Sequence, residues 1–283
     1  MSSESPRRPR ELTSGSAVLA PFRRMTTLAA LASSRGGTRL IYPLSFVLGL
    51  LVWEVVASLL PRVVFAAPSR VFWAMVDGFA SGAIPLGFLN SLQHMVAGLA
   101  LAIAVAMPLG FLLGRNRTAA TMFDPVVNAF FAIPSVAFVP FIMIWFGLFY
   151  EARVALVFFM CVFDVLITVS AGARNIDPAV LNVARSFQVT GLARLRKVLL
   201  PASLPFVFTA LRIGVVRAVN AMITAELFFA AVNLGAIMQT ASSRFDAPTM
   251  LGVVFLVSLF GLALQEVVKR AEVRLLPWSV RDA

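Results

Sequence analysis

The sequence predicts an all-α polytopic membrane protein with six transmembrane helices. Of its 283 residues, 60% are hydrophobic and 13% are charged, and the mean hydropathy is +0.90. A soluble domain of this length cannot hide so much apolar surface in one core, so lipid is the solvent that suits the chain. The apolar runs are long and lack the alternation of barrel strands, so we expect the chain to cross the membrane as helices.

Six stretches reach the roughly 20 residues that a helix needs to cross a hydrocarbon core of about 30 Å. They are residues 40–60, 91–113, 122–149, 153–173, 206–231 and 250–268. Residues 1–39 are rich in Arg, Ser, Pro and Gly, and we expect them to form a disordered cytosolic tail ahead of a transmembrane domain at 40–283. In the third stretch Pro125, Pro134 and Pro140 are each expected to kink the helix, because proline removes a backbone donor.

Lys and Arg residues are distributed unequally between the two sides of these stretches. With a cytosolic N-terminus, eighteen lie on the inner side and four on the outer side, while Arg212 and Arg217 lie inside the fifth stretch. The positive-inside rule therefore predicts a multi-pass inner-membrane protein with both termini in the cytosol. Nucleic-acid binding is not expected despite the net charge of +11, because the basic residues do not gather on one face or beside interleaved aromatic residues.

A short helix is predicted between the first two stretches. Val71, Phe72, Met75 and Phe79 have the spacing of one apolar helical face, and Gly82 can end the helix. Such a helix could lie on the outer membrane interface or serve as an ordinary packed connector, and the sequence leaves both open.

The connecting segment 174–205 predicts two cytosolic helices. Asp177 can cap free backbone N–H groups, and Pro178 suits the first helical position. Gly191 separates the helices, and Pro201 and Pro205 are expected to end the second one. In the first predicted helix Val180, Leu181, Ala184 and Phe187 share one apolar face. In the second, leucines lie on one side and Arg194, Arg196 and Lys197 on the other. The pair could grip a partner protein or lie on anionic headgroups, and periodicity does not separate these readings.

The stretch NVARSFQVTGLARLRKVLLP in this segment resembles the cytoplasmic loop of bacterial ABC importer permeases. That pattern is Glu-Ala-Ala, three residues, Gly, nine residues, an aliphatic residue, one residue and Leu-Pro. The matching residues are Ala184, Val198, Leu200 and Pro201. The chain departs from the pattern at three positions: Asn182 replaces Glu, Val183 replaces Ala and Gln188 replaces Gly.

Other segments resemble the nitrate/sulfonate/taurine type of these permeases. They are GRNRT, DPVVNAFFAIPSVAFVPFIMIWFGL, AGARNIDPAVLNVARS and AEL. The resemblance implies a type I ABC importer permease fold, a homodimer, an ABC ATPase subunit and a solute-binding protein as partners, and a small anion as substrate. It also implies that the inner loop contacts the ATPase through a defined set of residues. They are Asp177, Leu181, Ala184, Arg185, Ser186, Phe187, Gly191, Leu200 and Pro201.

Polar residues within the stretches are candidates for the translocation path. Charges at membrane depth usually face a bundle interior or a water-filled route, and Glu54, Asp164 and Arg217 qualify. Arg217, Asn220 and Thr224 share one helical face, and Glu226 is a further candidate for the path. Glu226 is about 180° around the helix from Arg217, so the two should not pair within one copy. Hydrogen bonds that only hold the helices together are an equally open reading.

Several kinds of chemistry find no support in the sequence. No G-x-x-x-x-G-K-[ST] phosphate loop occurs, so we expect no cofactor in this chain and ATP in a separate ATPase. His94, the single histidine, has no Cys, Asp or Glu within a few residues, so we expect no metal site and place it as a polar residue at the outer interface. Cys161 should only pack. The alternatives are an ion-gradient-driven secondary transporter, which should contain repeats, and an intramembrane enzyme, which needs convergent catalytic groups.

Overall fold

The structure is a computed structural model that describes residues 37–61, 65–229 and 231–276. Its helices are α1 (Gly37–Leu59), α2 (Pro68–Ala80), α3 (Ala83–Arg115), α4 (Arg117–Ala132), α5 (Val139–Phe146), α6 (Tyr150–Arg174), α7 (Pro178–Ser186), α8 (Gly191–Arg194), α9 (Leu200–Phe228), α10 (Asn233–Ser243) and α11 (Ala247–Leu275). A 3₁₀ turn, Ser135–Phe138, precedes α5, and a π-helical turn, Leu195–Leu199, joins α8 to α9. The predicted tail lies outside the described residues except for the start of α1.

The helices confirm the predicted polytopic all-α class. Five of the described helices, α1, α3, α6, α9 and α11, are long and apolar enough to cross a membrane. The pair formed by α4 and the segment Ser135–Phe146 makes a sixth span if it is counted as one. Most spans are longer than their predicted stretches, because the apolar pattern weakens at helix ends before the backbone hydrogen bonding stops.

The third span is broken by 91° between Ala132 and Ser135. Pro134 causes the break, since a proline disfavours helical geometry at the residue before it, and Ile133 is extended with φ −74° and ψ 127°. The other two prolines do not break the span. Pro125 lies inside α4 without ending it, and Pro140 lies in the first turn of α5, where a missing N–H has no helical partner to lose.

Within the described part of the chain, residues 37–60 form one compact unit and the residues from Pro61 to Leu276 form another. In the first unit, nearly all side chains of α1 from Ile41 onward are exposed or half-buried, although the helix is strongly apolar. A surface of this kind suits a hydrocarbon environment.

The second unit is built on the packing of α3 against α6. Small residues occur at nearly every fourth position of α3 and are buried: Gly98, Ala102, Ala106 and Gly110. A Cβ atom added at Gly98 would lie 2.8 Å from the carbonyl oxygen of Val154, and one added at Gly110 would lie 2.9 Å from that of Leu166. The two backbones are therefore in close contact, which is how helices associate in lipid.

The remaining helices pack around this pair. Helix α9 places Gly214 beside Val165 of α6, and the thiol of the buried Cys161 lies 3.6 Å from the Gly214 carbonyl oxygen. Helix α2 is the helix predicted between the first two spans, and it ends just before Gly82, whose φ is +75°. Its Met75 lies against Gly252 of α11, so this helix is a packed connector on that side.

We expect Gly110→Leu to lower the melting temperature of the detergent-purified protein by an amount equivalent to about 1–3 kcal/mol, because the new side chain overpacks the α3–α6 contact. Ala104→Leu places the same side chain on an exposed position of the same helix and should change the melting temperature little. Equal melting temperatures for the two variants would contradict a close α3–α6 contact.

Candidate functional site

The segment between α6 and α9 begins as predicted at Asp177. The Asp177 carboxylate accepts a hydrogen bond from the Ala179 N–H at 2.7 Å, and Pro178 occupies the first turn. The cap starts α7 three residues after α6 ends at Arg174, so the chain turns sharply. The position of the loop relative to the spans is therefore set by local capping chemistry.

The predicted apolar face of α7 is buried along one edge and exposed along the other. Leu181 and Ala184 are buried, and Leu181 packs with Ile176 and Leu199. Val183 and Phe187 are 56% and 77% exposed. Each residue adds about 100° of rotation around a helix, so Phe187 lies about 60° from Ala184 and the exposed side chains border the buried ones.

The exposed stripe lines an open groove of about 610 Å³. Its walls come from α7 and from the turn before α9: Ala179, Val180, Val183, Ala184, Phe187, Val189, Lys197, Val198, Pro201 and Ala202. The lining is mainly apolar, and Lys197 adds a positive charge. We call this surface the loop groove.

Two residues with positive φ shape the end of α7. Gln188 has φ +53° and Gly191 has φ +57°. The Val189 N–H donates to the Ala184 carbonyl oxygen at 3.0 Å, a six-residue closure typical of a helix that ends on a left-handed residue. Gln188 thus occupies the left-handed position that the family pattern assigns to glycine, and Gly191 separates α7 from α8 as predicted.

The return from the loop differs from the sequence expectation. Pro201 and Pro205 do not end a helix before the fifth span, because α9 already begins at Leu200 and runs through Pro205. Pro201 lies in the first turn, where proline is tolerated. The Ser203 hydroxyl donates to the Leu199 carbonyl oxygen at 2.7 Å and so ties the π-helical turn to α9.

The predicted stripe on α9 is on the surface of the isolated chain. Arg217 and Asn220 are exposed and Thr224 is half-buried, with its hydroxyl bonded to the Asn220 carbonyl oxygen at 2.9 Å. Arg217 also pairs with Asp164 of α6 at 3.2 Å. Asp164 and Arg217 both stand out in the sequence as charges within spans. Their pairing does not, because they lie 53 residues apart on different helices.

Glu226 lies apart from this stripe, in a buried hydrogen-bond network. It is fully buried and accepts hydrogen bonds from the Ser91 hydroxyl at 2.5 Å, the Asn233 amide at 2.9 Å and the Gly235 N–H at 3.0 Å. The carboxylate therefore joins α3, α9 and α10. As expected, Glu226 and Arg217 do not pair with each other.

His94 is buried beside this network, so its predicted place at the interface is wrong. Its Nε2 atom lies 3.9 Å from Glu226 Oε1 and its side chain is 1% exposed. Helix α3 begins at Ala83, eight residues before the predicted stretch, and this places His94 about three turns inside the helix. In the described residues no three His, Cys, Asp or Glu side chains group as a metal site would require.

Two further ion pairs lie toward the loop end of the helices. Arg174, the last residue of α6, pairs with Asp124 of α4 at 2.7 Å. Arg212 of α9 pairs with Glu272 of α11. The Arg115 guanidinium of α3 donates to the Ala173 carbonyl oxygen at 3.2 Å, so α3 and α6 end side by side.

A sequence model of the family described as "Binding-protein-dependent transport system inner membrane component" matches residues 106–275. The chain is 28% identical over 238 residues to a probable ABC transporter permease protein of Brucella abortus, covering 84% of this chain and 95% of the relative. It is 26% identical to the taurine transport system permease protein of Escherichia coli, with 81% and 86% covered. It is 30% identical to a bicarbonate transport system permease protein of Synechococcus elongatus, with 63% and 64% covered.

Solved structures of similar fold include a methionine ABC transporter in an inward-facing conformation, with a TM-score of 0.60 and 20% identity. That match covers 68% of this chain and 95% of the solved chain. An amino acid ABC transporter follows with a TM-score of 0.56 and 17% identity, covering 72% and 98%. The predicted type I importer permease fold is confirmed.

We expect Glu226→Ala to lower the melting temperature of the purified protein, because three buried donors lose their acceptor at about 1–3 kcal/mol for each unsatisfied group. Glu226→Gln retains one oxygen and should lie between this variant and the parent protein. Thr224→Ala, two residues away on the same helix, is the control and should melt close to the parent. A Glu226→Ala protein with the same melting temperature as the control would show that the network does not stabilise the fold.

We expect Gln188→Gly to slow amide hydrogen exchange in the α7 segment severalfold, because glycine adopts the left-handed conformation without the cost of about 1–2 kcal/mol that a side chain incurs. Ser186→Gly, in the last helical turn of α7, should accelerate exchange instead, since glycine disfavours helix. Opposite signs for the two glycines are the diagnostic result, and acceleration by both would contradict the assigned turn.

Proposed function

The chain belongs to the binding-protein-dependent transport system inner membrane components, and from that membership we propose the partners, orientation and substrate class of an ABC importer permease. The protein is a multi-pass membrane subunit of an importer, and the alternative of a secondary transporter is not favoured. Because its sequence lacks a phosphate loop, a separate ABC ATPase binds and hydrolyses ATP. A solute-binding protein delivers the substrate, and two copies of the permease form the path.

The loop groove is the observation that carries the coupling role. It is an apolar surface on the segment between α6 and α9, and its Val183 and Phe187 side chains are exposed. Exposed apolar side chains next to basic ones are typical of an interface with a partner protein. The ATPase contacts the loop through the exposed stripe and the polar residues Arg185 and Ser186.

The other residues of the predicted ATPase contact hold the loop in its conformation. Leu181 and Ala184 pack within the loop, and Asp177 caps α7. Gly191 provides the turn between α7 and α8, while Leu200 and Pro201 begin the helix that returns into the membrane. A rigid loop of this kind transmits motion of the ATPase to α6 and α9.

The orientation follows from the distribution of basic residues. The loop segment carries Arg185, Arg194, Arg196 and Lys197, which the positive-inside rule assigns to the cytosol. Both termini are then cytosolic, and the solute-binding protein docks at the opposite end, near α2 and α10. The membrane is the inner, or plasma, membrane.

The solute is small and carries an anionic group, such as a nitrate-, sulfonate- or taurine-like anion. Relatives of this chain carry names of taurine, nitrate and bicarbonate transport. Arg217, Asn220 and Thr224 line the path in this proposal, because they form an exposed polar stripe on a membrane-spanning helix. Glu226, also predicted on the path, supports the stripe from the buried side of the same helix.

The double substitution Val183→Asp with Phe187→Asp should reduce retention of the cognate ATPase subunit on the purified permease at least tenfold, because two carboxylates would be buried in an apolar contact. The measurement is co-purification of the two subunits, followed by ATP hydrolysis in nanodiscs.

Thr190→Asp adds a negative charge at an exposed residue just beyond α7 that does not line the groove, and it should leave ATPase retention unchanged. Size-exclusion profiles and melting temperatures of both variants exclude misfolding as the cause. If the double variant retains the ATPase fully and shows normal ATP-driven uptake, the loop groove is not the surface that couples the permease to the ATPase.

A further inference from the structure

A pocket of about 240 Å³ lies between α4 and α6, close to the end of α6 where the loop begins. Helix α4 buries none of its side chains within the chain, so it packs loosely against α6 and leaves a gap. Asp124 of α4 and Arg174 of α6 pair across this gap at 2.7 Å. We call it the α4–α6 pocket.

The lining of the α4–α6 pocket changes from charged to polar to aliphatic along the two helices. Asp124 and Arg174 form the charged layer. Asn128 and Ser170 form a polar layer, because each lies one helical turn, about 6 Å, from the charged residue of its own helix. The last layer is aliphatic and lies about one turn further along α6: Leu166 and Ile167.

Three polar side chains of the pocket have hydrogen-bonding capacity that the described part of the chain does not use. Ser170 is 5% exposed, and its hydroxyl oxygen has no hydrogen-bond partner there. Arg174 binds Asp124 through Nη2 alone, which leaves its Nε and Nη1 donors available. Asn128 donates from Nδ2 to the Asp124 carbonyl oxygen at 2.7 Å, so its side-chain oxygen can still accept. Buried polar groups are normally hydrogen-bonded, so the pocket is suited to a ligand with both donors and acceptors.

The order of the three layers matches the order of groups in a phospholipid. The headgroup region of each leaflet is about 5–8 Å thick and borders the hydrocarbon. Arg174 suits a phosphate, the Ser170 hydroxyl one turn deeper suits an ester carbonyl, and Leu166 suits the start of an acyl chain. A small ionised solute would gain nothing from the aliphatic layer, because charge is costly beside hydrocarbon.

The charged layer selects the kind of headgroup. Pockets lined by basic residues alone suit anionic headgroups. In the α4–α6 pocket a carboxylate stands beside the arginine, so a headgroup with only negative charge would be repelled by Asp124. An ethanolamine headgroup carries a phosphate for Arg174 and an ammonium group that donates to Asp124 and Asn128. It can bind without breaking the ion pair, because each partner of the pair has atoms to spare.

We propose that the α4–α6 pocket binds one phosphatidylethanolamine molecule, with its phosphate on Arg174, its ammonium group on Asp124 and an ester carbonyl on Ser170. The orientation given under the proposed function places this lipid in the cytosolic leaflet. The bound lipid fills the gap beside α4 and holds that helix against α6.

The test uses the complete permease–ATPase complex in nanodiscs with equal amounts of phosphatidylethanolamine, phosphatidylcholine and phosphatidylglycerol. Native mass spectrometry identifies the lipids that remain bound when the nanodisc is removed. We expect at least fivefold enrichment of phosphatidylethanolamine over each of the other two, because choline has no N–H to donate and the glycerol headgroup has no cation. Asp124→Asn and Arg174→Gln should each abolish this enrichment, and Ser170→Ala should at least halve it while leaving the ion pair in place.

A second measurement locates the lipid. A phosphatidylethanolamine probe with a diazirine at the start of one acyl chain is photoactivated in the same nanodiscs, and labelled peptides are identified by mass spectrometry. We expect labelling to concentrate at Leu166 and Ile167 and to fall at least fivefold in Arg174→Gln. The matching phosphatidylcholine probe should label these residues at least fivefold less.

Arg212→Gln is the matched control, because it also removes an arginine–carboxylate pair but lies outside the pocket. It should leave enrichment and labelling unchanged, and melting temperatures show whether each variant is folded. Equal retention of the three lipids by the parent complex, enrichment that survives both charge substitutions, or labelling spread evenly over the spans would overturn the proposal. A nanodisc offers the same lipids on both faces, so these results do not depend on the proposed orientation. The transport function is tested separately, by ATPase retention on the loop groove.

Discussion

The close approach of α3 and α6 is the constraint on which the rest of the second unit depends. Lipid offers no hydrophobic drive for helices to associate, so contact must come from backbones that fit closely together. Gly98 and Gly110 allow this fit, because any side chain there would meet a carbonyl oxygen of α6. Once α6 is fixed, its other faces position α4, α5 and α9, and with them Asp124 and Arg217.

Three carboxylates of the spans are satisfied by groups from other helices. Asp164 pairs with Arg217, Asp124 with Arg174, and Glu226 accepts three hydrogen bonds from α3 and the start of α10. These contacts have two different characters. Glu226 is fully buried and its network is suited to hold helices together, whereas the two arginine–aspartate pairs line cavities.

The loop between α6 and α9 divides its apolar residues between two tasks. One stripe of α7 packs inside the loop, around Leu181, and keeps the helix in place. The neighbouring stripe, with Val183 and Phe187, is left uncovered and forms the loop groove. Asn182 and Gln188, which replace family residues, directly precede Val183 and directly follow Phe187 in the sequence. Gln188 keeps the left-handed turn that glycine would make, so the departure costs local strain without changing the path of the chain.

The sequence by itself determined the class of the protein, the existence of five of its spans and the start of the loop. These features depend on local causes: long apolar runs, the Asp177–Pro178 cap and the glycine at 191. It also identified Asp164, Arg217 and Glu226 as unusual residues, because charged side chains at membrane depth are rare. It did not identify which proline would break the third span, since Pro125 and Pro134 look alike until the packing around α4 is known.

Only the tertiary structure decided which residues meet. Asp164 and Arg217 are 53 residues apart, and Ser91 and Glu226 are 135 residues apart, so no spacing rule within one helix relates them. The same holds for His94. The local sequence predicted a position at the interface, whereas helix packing buries its side chain. Helical periodicity specifies the face on which a side chain lies, but the neighbour of that face depends on how closely the backbones can approach, and that is a property of all the packed helices together.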